Sequence, residues 1–298
     1  MQVTFHGVRG STPCPGGTCT RYGGNTSCVV VDVDGQAPFV FDLGTGLRSW
    51  GETQPLDGTF RAHALVPHFH FAHIQGLPFL AAADRVGAEL DIYGPGLTGH
   101  DVLDHWKELI RPPWFPVEMD QLRGKYTSHD VSNADLSIGR AKVRVRAVPH
   151  VGLTLGYRID GDGTSVAYVS DHQAPPDLIG VDDSVVELCE GVDLLIHDAQ
   201  YTDEDWLTKS HWGHCTANYA VDVAIACKAR ALALFHHDPA RSDAAVDALL
   251  AMAVRRAAPH GIDVVAASEG LQLRPGRQLQ IGNTKRLHLG PMFRSSHR

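Results

Sequence analysis

The sequence predicts an α/β protein in which helices pack outside β-sheets, organised as one domain over residues 1–298. Three observations predict it. Short runs rich in Val, Ile and Phe recur from residue 2 onward, and toward the C-terminus they alternate with helix-length segments. No repeat or low-complexity linker divides the chain, which reads as two similar halves meeting near residue 150. Finally, residues able to bind a metal recur just after predicted strands, where α/β proteins commonly assemble their sites.

The elements follow in order. Gln2–His6, Ser27–Val33 and Pro38–Asp42 read as strands separated by turn residues. Ala64–Pro67 is a short apolar run that ends at a histidine cluster, and Leu90–Tyr93 is a strand stopped by Gly94-Pro95-Gly96. A helix is predicted over Leu97–Ile110. Arg111–Asp130, with Pro112, Pro113, Trp114, Phe115 and Pro116, reads as a loop. Its two aromatic residues either stack on a base or pack the loop onto the core, and packing is the simpler role. Val143–Val148 alternates as a half-exposed strand does, and Leu153–Ile159 and Ser165–Val169 follow it. Asp193–Ile196 (strand), Ala217–Arg230 (helix), Ala231–Phe235 (strand), Asp243–Ala257 (helix) and Ile262–Ala266 (strand) complete the alternation.

Composition narrows the function classes. Hydrophobic residues make up 43% and charged residues 20%, as in an ordinary globular protein. No apolar run approaches a membrane span and the N-terminus does not resemble a signal peptide, so a cytoplasmic protein without membrane partners is expected. The net charge of −8 disfavours a grip on extended nucleic acid, which relies on a basic face, and favours a small anionic substrate. Cys14 and Cys19 share a loop and could bind a metal, but the six scattered cysteines form neither a four-ligand set nor a disulfide framework. A homo-oligomer is left open.

The 18 histidines cluster. His68, His70 and His73 lie on a loop at a strand end, where alternate side chains can turn inward onto a metal such as zinc, manganese or iron. In a histidine-rich chain this cluster alone could be chance. However, His150, Asp171 and His236 each stand just after a predicted strand as well, and accident explains several such strand ends poorly.

The series His68-x-His70-x-Ala72-His73, His150, Asp171, His236 resembles the ligand series of the metallo-β-lactamase superfamily. Phe41-Asp42-Leu43-Gly44-Thr45-Gly46 is similar to the superfamily's early Asp-x-Gly-x-Gly turn, whose glycines would permit a tight turn near the metals. Gly7–Pro13, Arg21–Ser27 and Gly213-His214-Cys215-Thr216 resemble segments of the branch containing cyclic phosphodiesterases and tRNA 3′-end endonucleases.

The resemblance implies a four-layer αββα sandwich and two divalent ions, zinc first, with manganese or iron as alternatives. His68, His70 and His150 would hold the first ion, Asp171 would bridge, and His73 and His236 would hold the second. His237 would stand behind His236, and His172 is expected at the surface. His214 would donate a proton or hold a phosphoryl oxygen, with Thr216 capping a helix. Arg9, Arg21 and Asn25 are candidate phosphate contacts, with turn and surface roles as the alternative.

One position departs from the pattern. Ala72 stands where the series carries an aspartate, so the second ion loses an anionic ligand. The expected activity is hydrolysis of a small phosphodiester, such as a cyclic nucleotide or cyclic phosphate, weakened by Ala72. The alternatives are another hydrolase of this fold, acting on a lactone, thioester or β-lactam, and a ligand-binding protein with a dormant site.

Overall fold

β1 (Gln2–Gly7) buries Val3 and Phe5 on one face and leaves Thr4 and His6 half-buried on the other. The computed structural model describes residues 1–97 and 99–282, and this two-faced pattern recurs across two sheets packed face to face. The first sheet continues through β2 (Cys28–Asp32), β3 (Phe39–Phe41), β4 (Arg61–Leu65), β5 (Glu89–Pro95) and β6 (Lys125–Val131). α1 (Gly46–Gly51) and α2 (Val102–Leu109) lie between these strands in the chain. The chain then enters the second sheet with β7 (Ala134–Ile138), β8 (Ala141–Val148), β9 (Thr154–Gly161), β10 (Thr164–Val169), β11 (Leu194–Asp198), β12 (Ala231–Phe235) and β13 (Asp263–Ala266). α3 (Asp183–Cys189), α4 (Asp203–Lys209), α5 (Ala217–Ala226) and α6 (Asp243–Ala257) punctuate that half, and β14 (Gln272–Arg274) and β15 (Gln280–Ile281) return to the first sheet.

The strand orders are β15-β14-β1-β2-β3-β4-β5-β6 and β13-β12-β11-β10-β9-β8-β7. Val3, Phe5, Phe41, Tyr157, Tyr168, Ile196 and Phe235 fill the space between the sheets. A second apolar layer, including Leu47, Trp50 and Trp106, joins α1 and α2 to the first sheet, and a third joins α3, α5 and α6 to the second. The result is the expected αββα order.

β3, β4, β5 and β6 run parallel, as do β10 to β13. β8 and β10 are both antiparallel to β9, so β8 ends at the same edge as β10. The C-terminal ends of β3, β4, β8, β10, β11 and β12 thereby deliver their following loops to one place.

Several expectations are corrected. The predicted loop Arg111–Asp130 contains most of β6, a sheet-edge strand whose sequence, KYTSHDV, lacks a fully buried face. The helix expected over Leu97–Ile110 begins at Val102, after an Asp101 cap that accepts from Leu103 N and Asp104 N; Thr98, within that expected range, lies outside the described residues. α5 stops at Ala226 rather than Arg230 because Lys228 takes a left-handed conformation (φ 54°). α1, α3, α4, β7, β14 and β15 carry too few residues to show a period in the sequence. All six cysteines are free thiols, and no helix among the described residues is long and apolar enough to cross a membrane.

Candidate metal centre

The loop after β4 holds His68 and His70 and closes with a single 3-10 turn, Phe71–His73. That turn rests on the Asp42–Gly44 turn after β3, through Leu43 N to His73 O (2.8 Å) and Gly76 N to Leu43 O (2.7 Å). A Cβ on Gly44 would stand 2.5 Å from the carbonyl oxygens of Ala72 and Ser27, so only glycine allows this approach. The left-handed residue of the turn is Asp42 itself (φ 63°). Its conformation directs carboxylate Oδ2 to within 2.8 Å of His73 Nδ1, and the Tyr168 hydroxyl donates to the same oxygen at 2.5 Å.

His150, after β8, donates from Nδ1 to Gly213 O at 2.5 Å, which leaves Nε2 facing His70, 3.4 Å from its Nδ1. Gly213 has φ 92°, and a Cβ there would lie 2.4 Å from the His150 ring. Asp171, after β10, lies at the centre. His73 Nε2 is 3.3 Å from its Oδ2, and His236 Nε2 and His68 Nε2 are 3.5 and 3.9 Å from its Oδ1. His236, after β12, also adopts a left-handed backbone (φ 57°), which costs free energy and is typical of residues aimed into a functional site. His214 places Nδ1 2.9 Å from Asp198 Oδ2 and 3.7 Å from Asp171 Oδ1. Behind it Cys215 Sγ donates to Asp198 O at 3.1 Å, and Thr216 caps α5 by accepting from Tyr219 N.

Electrostatics follow from burial and crowding. Burial alone would raise the Asp171 carboxyl, but His236, His73 and His68 hold it well below the usual carboxylate range. Burial pushes Asp198 up to about 6, offset in part by His214. Burial drives His68 and His236 down, against the opposing pull of Asp171.

Three overlapping groups place their ligand atoms within 4.8 Å of one another: His68, His70 and His150; His68, His73 and Asp171; and Asp171, His214 and His236. Both ring nitrogens of His68 and of His236, and Asp171 Oδ2, are buried without a hydrogen-bond partner. Buried polar atoms left unpaired are costly, and a cation among them removes that cost. Imidazole and carboxylate donors suit zinc, manganese or iron, so the residues present fit divalent metal. Ala72, buried beside them, supplies no donor.

A cavity of about 680 Å³ opens onto this cluster, lined by His70, Ala72, His73, Asp171, His214 and His236 together with Gln200, Tyr201, Lys209 and Trp212. Arg21 and Asn25 do not line it. Arg21 pairs with Asp247 at 2.5 Å, while Asn25 works through its backbone, accepting from Val8 N and Arg9 N. Arg9 is fully buried and bonds the carbonyls of Gly23, Asp238 and Arg241, a structural role. Trp114 is exposed away from the cavity, and Phe115 packs beside Phe79. His172, expected at the surface, is fully buried with Nδ1 2.9 Å from His197 Nε2. His237 donates from Nε2 to Ala267 O and stands behind the cluster. Sequence reasoning missed Asp198, although an acid ending the apolar run Leu194–Ile196 carries the same strand-end signature that pointed to Asp171.

Comparisons with known proteins agree with this geometry. A family model described as a β-lactamase superfamily domain matches residues 42–237, a span reaching from Asp42 past His236. Ribonuclease Z of Haloarcula marismortui is 28% identical, covering 92% of this chain and 96% of that protein. Ribonuclease Z of Halobacterium salinarum is 30% identical over 79% of this chain and 86% of its own length. The crystal structure of human tRNase Z, short form, superposes with a TM-score of 0.67 at 21% identity, covering 93% of this chain and all of that one.

Proposed function

This chain belongs to the β-lactamase superfamily and is a metal-dependent hydrolase of its phosphodiesterase and tRNA endonuclease branch; from that premise we propose that it cleaves a small phosphodiester, such as a cyclic nucleotide or cyclic phosphate. The observation that carries the proposal is the pairing of His214, on the Gly213–Thr216 segment, with Asp198 at the end of β11, which sets His214 beside Asp171 in the same cavity.

His68, His70 and His150 would hold one ion, His73 and His236 a second, with Asp171 shared between them. Two divalent ions so held supply Lewis-acid stabilisation of phosphoryl charge and an activated water. The chain's own groups do the rest. Asp42 and the Gly213 carbonyl orient His73 and His150. Asp198 supports the protonated form of His214, which raises it above its ordinary value despite burial. His214 is thereby poised to give a proton to the leaving oxygen or to hold a nonbridging one.

Size discrimination follows from charge. Among the described residues lining the cavity, Lys209 is the one lysine or arginine, and it lies 3.4 Å from Asp238 and 3.8 Å from Asp205. A neutralised ammonium on a chain of net charge −8 favours one phosphodiester over a long polyanion, and a cytoplasmic site of action goes with this reading. Ala72 favours a second reading, a ligand-binding protein with a dormant site.

The test compares bis(p-nitrophenyl) phosphate, cyclic nucleotides, a lactone, a thioester and a β-lactam on protein loaded with zinc or manganese. Turnover of diesters alone is expected. Turnover of the lactone, thioester or β-lactam without the diesters overturns the proposal, and tight binding of a cyclic nucleotide without turnover supports the dormant site.

A further inference from the structure

Three large hydrophobic side chains that stand exposed on the described surface, Phe71, Val151 and Trp212, also line the metal-site cavity. Each belongs to a different loop and lies within two residues of a clustered histidine: Phe71 after His70, Val151 after His150, Trp212 before His214. The fold therefore gathers an apolar rim around a polar floor. Leaving such surface in water is unfavourable, and a gathered patch of this kind marks a place where a ligand covers it.

Trp212 is the most constrained of the three. Its indole N–H donates to His211 Nε2 at 3.2 Å, its backbone N–H bonds to Lys209 O at 3.0 Å, and the Lys209 ammonium lies 5.8 Å from the ring centroid. The side chain is nevertheless 57% exposed. An aromatic ring held in place yet open to solvent, at the mouth of a reaction site, presents the surface on which a flat ring stacks.

We propose that Trp212 is a specificity-determining residue that receives the nucleobase of a small phosphodiester, with Phe71 and Val151 completing the rim, while the phosphate lies on the histidine floor. The assignment rests on the phosphodiesterase reading and narrows its substrate class to nucleotides. Trp212 recognises the part of the substrate that does not react, so its loss acts on KM rather than on kcat.

The experiment compares wild type, Trp212→Ala and Trp212→Phe on adenosine 2′,3′-cyclic phosphate and on the base-free cyclic phosphate of ribose. Trp212→Ala should raise KM for the nucleotide about tenfold or more, leave its kcat within about threefold, and leave the base-free KM unchanged. Trp212→Phe should retain most of the affinity. Equal KM changes on both substrates, or none on the nucleotide, overturn the inference. Tryptophan fluorescence supplies a readout independent of turnover: the cyclic nucleotide should quench wild type more strongly than Trp212→Phe, and the base-free phosphate should quench both equally. If neither diester is hydrolysed the phosphodiesterase reading falls, and the quenching still decides for or against the nucleobase site.

Discussion

Asp42 grips His73 at the bottom of the cavity, Oδ2 to Nδ1 at 2.8 Å, with both side chains buried. Asp42 follows a strand of the first sheet, while Tyr168, which donates to the same oxygen, belongs to the second. The two sheets thus clamp one imidazole and turn Nε2 toward Asp171. His150 and His214 are fixed in the same manner, by Gly213 O and Asp198.

Asp42→Asn tests that clamp. Asparagine tolerates the left-handed backbone, so the turn should survive while the charge is lost. Removing a partner that orients a metal-bound histidine typically weakens affinity about 10- to 100-fold. Chelator competition should show that loss at the site containing His73, with unchanged far-UV circular dichroism. Unaltered affinity would mean that the carboxylate does not orient the ring for metal.

Arg9 makes a contrasting prediction, because it resembles a phosphate contact in sequence and is a structural pin in the fold. Replacing it by leucine strands the buried carbonyl of Asp238 and the part-buried carbonyls of Gly23 and Arg241. The expected destabilisation is about 3–5 kcal/mol, read from the urea midpoint. KM for a diester on the folded fraction should not change. A raised KM with intact stability would restore the phosphate role.

What separates these two cases also explains how much was legible in the sequence. The convergence of His68, His70, His73, His150, Asp171 and His236 was readable because the four loops that carry them each follow a strand, and strand ends are visible in a linear pattern. Asp198 obeys the same rule, but His197 separates it from the apolar run Leu194–Ile196 and hides the strand's true end. Arg9 and Arg21 sit among turn-forming glycines, where sequence cannot distinguish a solvent-facing cation from a buried one. β6 shows no alternation of buried and exposed residues, so no period marks it as a strand in the sequence. The rim of Phe71, Val151 and Trp212 exists only when three loops meet.

His6 provides a pH signature away from the metals. It lies on the face of β1 opposite Val3 and Phe5, where α1 packs, and burial pushes it down to about 4. Between pH 6.5 and 4 the unfolded chain therefore binds a proton that the folded chain refuses. Stability contributed by neutral His6 is present above pH 6.5 and is lost as pH falls toward 4, on the order of 2–3 kcal/mol. In metal-free protein, His6→Gln should flatten the wild-type curve of urea midpoint against pH across that window. Parallel curves would show that the ring is protonated as readily in the fold as in the unfolded chain.

Ala72 sets what the centre can do. It lies in the turn that positions His73, its backbone carbonyl packed against Gly44, and its methyl group lines the cavity. A carboxylate there would extend into the cavity and add an anionic donor beside His73, Asp171 and His236. Ala72→Asp should therefore tighten the weaker metal site and bring occupancy measured by elemental analysis close to two ions per chain. With the second ion in place, diesterase turnover should rise by about tenfold or more, since a missing metal ligand can account for several kcal/mol of transition-state charge stabilisation. Unfolding in the presence of chelator should show Ala72→Asp the less stable of the two, because a carboxylate at this buried position beside Asp171 then has no cation to offset it. If occupancy rises without a gain in turnover, the defect at position 72 is one of metal retention alone, and the limit on catalysis lies with His214 and Asp198.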